Sequence, residues 1–166
     1  PADADKLDLT QWMPAPDFVG GGQIILNRSD IKQVYETGRG SIRVRGRYQY
    51  QKAENVIEVT QIPPTTTVEA IIERVIELSK NGKIKEINDI RDETDLDGLK
   101  ITIDLKRGAD PEKLMARLFK LTPLEDTFSC NFNILIDGKP QVLGVRAILK
   151  EWIRFRTDCV RRRTQY

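Results

Sequence analysis

The chain of 166 residues is 39% hydrophobic and 31% charged, which is ordinary for a folded domain and unlike disordered or membrane proteins. It has no histidine and two cysteines, Cys130 and Cys159, which excludes histidine-based nucleophilic schemes and most zinc sites. The net charge of +2 hides two basic blocks, residues 18–52 and 138–166, around an acidic middle, and this pattern favours a polyanionic partner.

The N-terminal part of the chain predicts a linker, a strand and a helix. Residues 1–21 contain Pro14, Pro16 and part of a glycine run, which is typical of a linker or docking arm. A short buried strand follows at 23–26. Ser29 is then positioned to cap a helix with Ile31, Val34 and Tyr35 inward, and Gly38 ends that helix.

Two alternating segments next predict a β-hairpin. Residues 41–51 and 55–62 each alternate between apolar and polar side chains, with a hairpin-length connection between them. Thr66, with Glu69 three positions later, forms a capping-box pattern for the following helix. The inward stripe of that helix is predicted to comprise Val68, Ile71, Ile72, Val75 and Leu78.

The C-terminal half predicts further strands and two helices. Strands are expected at 83–90 and 99–106, and Asp110-Pro111 starts a helix with proline in its first turn. Residues 128–136 alternate as one strand before the Asp137-Gly138 turn, and a long helix is expected over 145–166. One core is predicted to hold Ile101, Ile103, Phe132 and Ile134 against Val68, Ile72 and Val75.

This order of elements predicts an α+β fold, with a largely antiparallel sheet, helices packed on one face and a long C-terminal helix. The longest apolar run falls well short of the ~20 residues that a membrane span needs. The acidic first residues contain no hydrophobic signal region, so we expect a cytoplasmic protein with reduced thiols and no membrane contact.

Six short blocks carry a resemblance to a known family. They are Pro-Asp-Phe at 16–18, Thr-Gly-Arg-Gly-Ser-Ile-Arg-Val-Arg-Gly-Arg at 37–47, Arg-Asp-Glu-Thr-Asp-Leu-Asp-Gly at 91–98, Lys-Leu-Thr-Pro-Leu at 120–124, Asp-Gly-Lys-Pro at 137–140 and Arg-Arg-Arg-Thr at 161–164. In this order and spacing they resemble the A subunits of bacterial DNA gyrase and topoisomerase IV, which are type IIA topoisomerases. Val19-Gly20 stands where the family usually has Pro-Thr, which leaves the choice between those two enzymes open.

The resemblance implies a part in an ATP-dependent enzyme that changes DNA topology by transient double-strand breakage. In that family a tower domain supports the gate-segment DNA beside a winged-helix domain, which carries the nucleophilic tyrosine. The blocks quoted above resemble the tower. We therefore expect an N-terminal arm at 1–21, a tower-like domain at 22–144 and a helix at 145–166 that leads towards the family's coiled coil.

The resemblance also implies partners and cofactors. The partners are double-stranded DNA, a second copy of the full-length protein and a B subunit that hydrolyses ATP. ATP and Mg²⁺ are expected on that B subunit, whereas no cofactor is expected in this chain. The chain lacks the catalytic tyrosine, because Tyr48 lies downstream of the nucleophile's place in the family and on a packed strand face. We expect the chain alone to be inactive.

Arg43, Arg45 and Arg47 are the leading candidates for DNA contact. In one strand they would project from the same face, ~6.8 Å apart per step, which is about two phosphate steps. The alternative is intramolecular pairing with Glu54 or Glu58 of the hairpin partner strand. Arg39 lies between two glycines, where a phosphate can approach closely, although simple turn chemistry explains it equally well.

Other charged clusters have structural explanations. The basic residues at 161–163 complement the dipole of the last helix. The acidic residues at 92–97 predict a turn that ends at Gly98, because the ligand positions of an EF-hand are missing. Two further function classes stay open, namely an autonomous DNA-binding module and a structural spacer whose arginines are satisfied within the protein.

Overall fold

The structure is a computed structural model that describes residues 7–165. Its contacts divide the chain into two units. The first draws on residues 7–16, Leu26–Ile42 and 129–165, and the second on Asp17–Ile25 and Arg43–Phe128. Helices and antiparallel strand pairs alternate along the chain, so the predicted α+β class is confirmed. The predicted division into an N-terminal arm at 1–21, a tower-like domain at 22–144 and a helix at 145–166 stays a prediction.

The chain forms nine strands and four helices within the described residues. After a 3-10 turn at Leu9–Gln11 come β1 (Gln23–Ile25), α1 (Arg28–Thr37), β2 (Arg39–Arg45), β3 (Arg47–Gln51), β4 (Val56–Gln61), α2 (Val68–Lys80), β5 (Ile87–Asp92), β6 (Ile101–Leu105), α3 (Pro111–Leu121), β7 (Glu125–Asn131), β8 (Asn133–Ile136), β9 (Lys139–Val142) and α4 (Val145–Thr164). The strands form three sheets, with the orders β1-β2-β7, β3-β4-β6-β5 and β8-β9.

The core of the second unit lies between the four-stranded sheet and two helices. Alternating residues of β4 and β6 turn inward, and Ile57 and Ile103 are both fully buried and paired in register. They pack against Ile71, Val75 and Leu78 of α2 and against the inward side of α3. Val68 and Ile72 are only partly buried at the margin of this core. The predicted placement of helices on one face of a sheet therefore describes this unit.

The first unit has a smaller buried set around α1. Ile31, Val34 and Tyr35 are buried, as predicted, and Gly38 ends the helix with a φ of 73°, donating its N–H to the Val34 carbonyl. The helix α4 begins at Val145, as predicted, but none of its residues is buried. Among residues 7–165, no helix is long and apolar enough to cross a membrane.

Two helix caps differ from the prediction by one or two positions. Asn27, rather than Ser29, caps α1, and its side chain accepts hydrogen bonds from both the backbone N–H and the hydroxyl of Ser29. Thr67, rather than Thr66, caps α2 by accepting from the Ala70 N–H. Both helices still begin within a turn of the predicted site, because adjacent residues offer the same capping chemistry.

The prediction of one strand over 128–136 is wrong. β7 ends at Asn131 and β8 begins at Asn133, in a separate two-stranded sheet with β9. Phe132 lies at the break and is half-buried, as is Ile134, so neither belongs to the core that holds Ile101 and Ile103. Period-2 alternation continues through the break, which is why the sequence does not reveal it.

Candidate nucleic-acid interface

Arg43 and Arg45 lie on the outward face of β2. The intervening residue Val44 is fully buried, and β2 pairs antiparallel with β1, with Arg43 opposite Ile25. Strand alternation therefore directs both guanidinium groups to the same side, as predicted. The Arg43 side chain is 64% exposed and that of Arg45 is 39% exposed.

Arg47 does not continue this row, so the prediction of one strand over 41–51 is wrong. The strand breaks at Gly46, whose N–H donates to the Leu124 carbonyl at 2.7 Å. A Cβ at this position would lie 2.8 Å from the Gln61 carbonyl oxygen, which explains the glycine. Arg47 begins β3, which belongs to the four-stranded sheet and pairs with Gln61 of β4.

One carboxylate, that of Glu125 at the start of β7, pairs with both arginines of β2. Its Oε1 accepts from Arg43 Nη2, and its Oε2 accepts from Arg45 Nε at 2.7 Å and lies 2.6 Å from Arg45 Nη2. The Glu125 side chain is only 6% exposed. Intramolecular pairing of the arginines thus exists, but the predicted partners are wrong.

Glu54 and Glu58 do not neutralise the arginines. Glu58 faces Gln49 across the hairpin, accepts a hydrogen bond from Gln51 at 2.9 Å and pairs with Lys100 at 3.1 Å. Within residues 7–165, Glu54 forms no ion pair with any arginine. The glutamate that does pair lies about eighty positions beyond the arginines, and no local spacing in the sequence indicates this contact.

An aromatic residue of α3 fixes Arg45 further. The Arg45 guanidinium lies 4.4 Å from the centroid of the Phe119 ring, which is a cation–π arrangement. Tyr48 packs against the same ring at 5.9 Å between centroids. Arg43, Arg45, Tyr48, Phe119, Lys120 and Glu125 are among the residues that line a cavity of about 380 Å³. Sequence reasoning missed both Glu125 and Phe119 as parts of this site.

Of the four candidate arginines, Arg39 and Arg47 are exposed and have no neutralising partner among the described residues. Neither side chain forms a hydrogen bond or ion pair in the part of the chain that the structure describes. Arg39 starts β2 within the first unit, directly after the left-handed Gly38. Its backbone N–H donates to the Thr37 hydroxyl at 3.2 Å, so turn chemistry accounts for the backbone but not for the free side chain.

The remaining polar clusters form structural contacts. The acidic segment after β5 is a turn, as predicted, closed by a bridge between Asp95 and Gly98. In it, Asp92 accepts from the Thr94 N–H and Asp95 from the Asp97 N–H.

Burial raises the pKa of the Cys130 thiol, which suits an unreactive core residue.

Comparison with known proteins assigns the family. Residues 2–166 match the family described as the A subunit of DNA gyrase/topoisomerase IV. The chain is 41% identical to the DNA gyrase A subunit of Synechocystis sp. over 96% of its length, and 37% identical to that of Clostridium acetobutylicum over 99%. It is 36% identical to the chloroplastic/mitochondrial DNA gyrase A subunit of Arabidopsis thaliana over 99%.

Those alignments cover 18–20% of the relatives, so the chain spans about a fifth of the curated relatives it matches. The match nevertheless includes all six blocks that carry the resemblance, from Pro-Asp-Phe to Arg-Arg-Arg-Thr. The chain belongs to the family of DNA gyrase and topoisomerase IV A subunits.

Proposed function

We propose that this chain is the DNA-supporting, tower-like part of the A subunit of an ATP-dependent type II topoisomerase. That enzyme would change DNA topology by transient double-strand breakage, and this part would hold the gate-segment DNA while a tyrosine elsewhere in the protein forms the covalent bond. The match over residues 2–166 supports the proposal, as does the shared name of the relatives, each of which is the A subunit of a DNA gyrase.

The proposed DNA contacts are Arg43 and Arg47, assisted by Arg45 and Arg39. The observation that carries this proposal is that Arg47 and Arg39 are exposed cations with no partner among residues 7–165, while Arg43 shares one carboxylate with Arg45. Guanidinium groups on a surface bind phosphate oxygens, which position a duplex without reading its sequence. The contacts should therefore be sensitive to salt and indifferent to base sequence.

The wider assembly follows from the same family assignment. We propose that the full-length protein works as a homodimer in the cytoplasm, together with a B subunit that hydrolyses ATP and binds Mg²⁺. This chain would hold no cofactor. Half-exposed or exposed apolar residues of α4, among them Leu149, Trp152 and Ile153, support the proposal that this helix leads into a coiled coil.

A salt titration of DNA binding tests the proposed contacts. The slope of log K against log salt is negative, and we expect Arg47→Ala to reduce its magnitude by ~0.9, because one phosphate contact is lost. The variant with Arg43, Arg45 and Arg47 all changed to Ala should show a larger reduction in the magnitude of this slope. Arg107→Ala is the matched control, since it removes the same charge from an exposed site on the turn after β6.

The measurement uses fluorescence anisotropy with a labelled duplex, on this chain and on the full-length protein. Circular dichroism first establishes that each variant folds. An unchanged salt slope in the folded triple variant would reject the DNA contacts. In that case a large loss of stability would favour the structural-spacer function, in which the arginines serve internal pairing.

A further inference from the structure

The carboxylate of Glu125 lies beneath two arginines that the proposed function assigns to DNA. Both of its oxygens are engaged, Oε1 by Arg43 and Oε2 by Arg45, and the side chain is almost completely shielded from solvent. A carboxylate and a phosphate offer guanidinium groups the same acceptor chemistry. Glu125 therefore occupies donors that a DNA phosphate would otherwise use.

The two arginines are held unequally. Arg45 donates through Nε and approaches the same oxygen with Nη2, and its guanidinium also lies over the Phe119 ring. Arg43 reaches Glu125 through Nη2 alone, and no other hydrogen bond or ion pair of its side chain occurs within residues 7–165. Arg43 is also the more exposed of the two side chains. It is therefore the one that can exchange partners without dismantling the packed site.

The net charge of Arg43, Arg45 and Glu125 also indicates that Glu125 weakens the binding of a polyanion. One carboxylate between two guanidinium groups leaves a single net positive charge on the three side chains. An uncompensated pair of arginines would bind a polyanion more strongly, since each phosphate neutralised releases counterions. The Glu125 carboxylate neutralises one of these two positive charges. Because this carboxylate is nearly buried, water screens its attraction to the arginines little.

We propose that Glu125 is an internal competitor of DNA phosphate for Arg43, and that Arg45, whose guanidinium lies over Phe119, is a positioning residue that holds Glu125. The inference rests on the proposed DNA-binding function. Glu125 sets the affinity of this surface by holding Arg43 when DNA is absent and yielding it to a phosphate when DNA arrives. Arg45 stays with Glu125 in both states.

The test is the effect of Glu125→Gln on DNA binding by the full-length protein and by this chain. The amide keeps the shape of the side chain and removes the competing charge. We expect tighter binding to a labelled duplex, because Arg43 no longer has to leave a carboxylate before it reaches a phosphate. Glu112→Gln is the matched control, because Glu112 lines the same cavity, carries the same charge and pairs with neither arginine. Its effect should be less than half as large.

A double-mutant cycle assigns the effect to Arg43. In an Arg43→Ala background, Glu125→Gln should lose most of its gain in affinity. Should the glutamine variant fail to fold, ¹⁵N NMR of the arginine side chains in the unmodified chain gives the second measurement. The Nε–H signal of Arg43 should shift on addition of DNA, while that of Arg45 should not.

The outcomes separate this inference from the proposed function. Weaker binding by a folded Glu125→Gln variant, or a gain that persists without Arg43, would overturn the competitor role. A gain equal to that of Glu112→Gln would overturn it as well, since that is a general charge effect. If Arg47→Ala lowers the salt slope while these tests fail, only the competitor role is lost. If Arg47→Ala also leaves the slope unchanged, the proposed DNA contact itself fails.

Discussion

Several charged side chains on the four-stranded sheet each hold more than one partner. Arg91 Nη1 donates to Asp104 at 2.5 Å and Arg91 Nε donates to Glu93 at 3.2 Å. Glu93 also accepts from the buried Thr102 hydroxyl at 2.8 Å, and Lys100 lies between Glu93 and Glu58. These residues occupy the face opposite the apolar core. Their opposite charges are interleaved, so this face is largely neutralised within the protein, unlike the surface at Arg47.

The network predicts a specific loss of stability in acid. The hydroxyl of Thr102 and then the guanidinium of Arg91 lower the pKa of Glu93 below its ordinary value of 4.5. A lowered pKa in the folded state contributes stability above the unfolded pKa, and that contribution is lost as pH falls through the folded value. We expect Glu93→Gln to be less stable than the unmodified chain near neutral pH.

The difference should shrink as pH falls below about 4.5, because Glu93 is protonated first in the unfolded state and then in the folded state. Urea denaturation at a series of pH values measures it. Glu73→Gln is the control, since Glu73 is exposed on α2 and forms no ion pair among the described residues. A Glu93→Gln difference that stays constant through the acid range would show that the network does not contribute through its charge.

Helices and strands with a strong hydrophobic periodicity were predictable from the sequence, whereas the breaks between consecutive strands were not. The stripe of α2 and the alternation of Ile101 and Ile103 are local patterns, and their elements form where expected. The break at Gly46 depends on the Gln61 and Leu124 carbonyls, which lie far away in sequence. The shared face of Arg43 and Arg45 was predictable, because arginines at alternate positions of one strand need only strand geometry. Their partner Glu125 was not, because the pairing arises from long-range strand order.

Truncation of a core strand residue should cost far more than truncation in the separate hairpin. Ile103 is fully buried between β4 and β5, whereas Ile134 of β8 is half-buried. We expect Ile103→Ala to lower the free energy of unfolding by ~2–5 kcal/mol, as cavity-forming substitutions do. Ile134→Ala should cost less than half as much. Equal losses in urea denaturation would contradict the assignment of Phe132 and Ile134 to a place outside this core.

The junction of β2 and β3 should reject a side chain. A Cβ at position 46 would lie 2.8 Å from a backbone oxygen that cannot swing away like a flexible side chain. We expect Gly46→Ala to cost ~1–3 kcal/mol, the usual range for overpacking. Gly20→Ala is the matched control, because nothing lies within 4 Å of a Cβ there. Thermal unfolding compares the two, and equal melting temperatures would contradict a steric requirement at Gly46.

At the scale of the whole molecule, the chain contains only part of the proposed enzyme. It spans about a fifth of its curated relatives, and its candidate site is made of arginines, one carboxylate and aromatic rings. Such groups have the chemistry to bind and position a phosphate backbone, as proposed for this chain. Phosphodiester cleavage by a type II topoisomerase needs in addition an exposed tyrosine hydroxyl that reaches the DNA.

The tyrosines of the described chain are engaged elsewhere. Tyr35 is 5% exposed, and burial raises the pKa of its hydroxyl above the ordinary value. Tyr48 packs against Phe119, and the Tyr50 hydroxyl donates to Asn55 at 2.9 Å. Tyr166 lies outside the described residues. The Tyr35 ring is therefore buried and the Tyr50 hydroxyl is hydrogen-bonded, whereas the exclusion of Tyr48 rests on its place downstream of the nucleophile in the family.

We therefore expect this chain, mixed with an intact B subunit, ATP and Mg²⁺, to leave supercoiled plasmid uncut and its linking number unchanged. Gel electrophoresis after denaturation in detergent and protease digestion detects both strand breakage and topoisomers. A full-length A subunit in the same mixture is the positive control, and it should cleave and supercoil or relax the plasmid. The chain should still compete for duplex DNA at low salt, because its arginines remain. Mass spectrometry that found DNA covalently attached to Tyr48 would place the nucleophile in this chain and overturn the proposed division of labour.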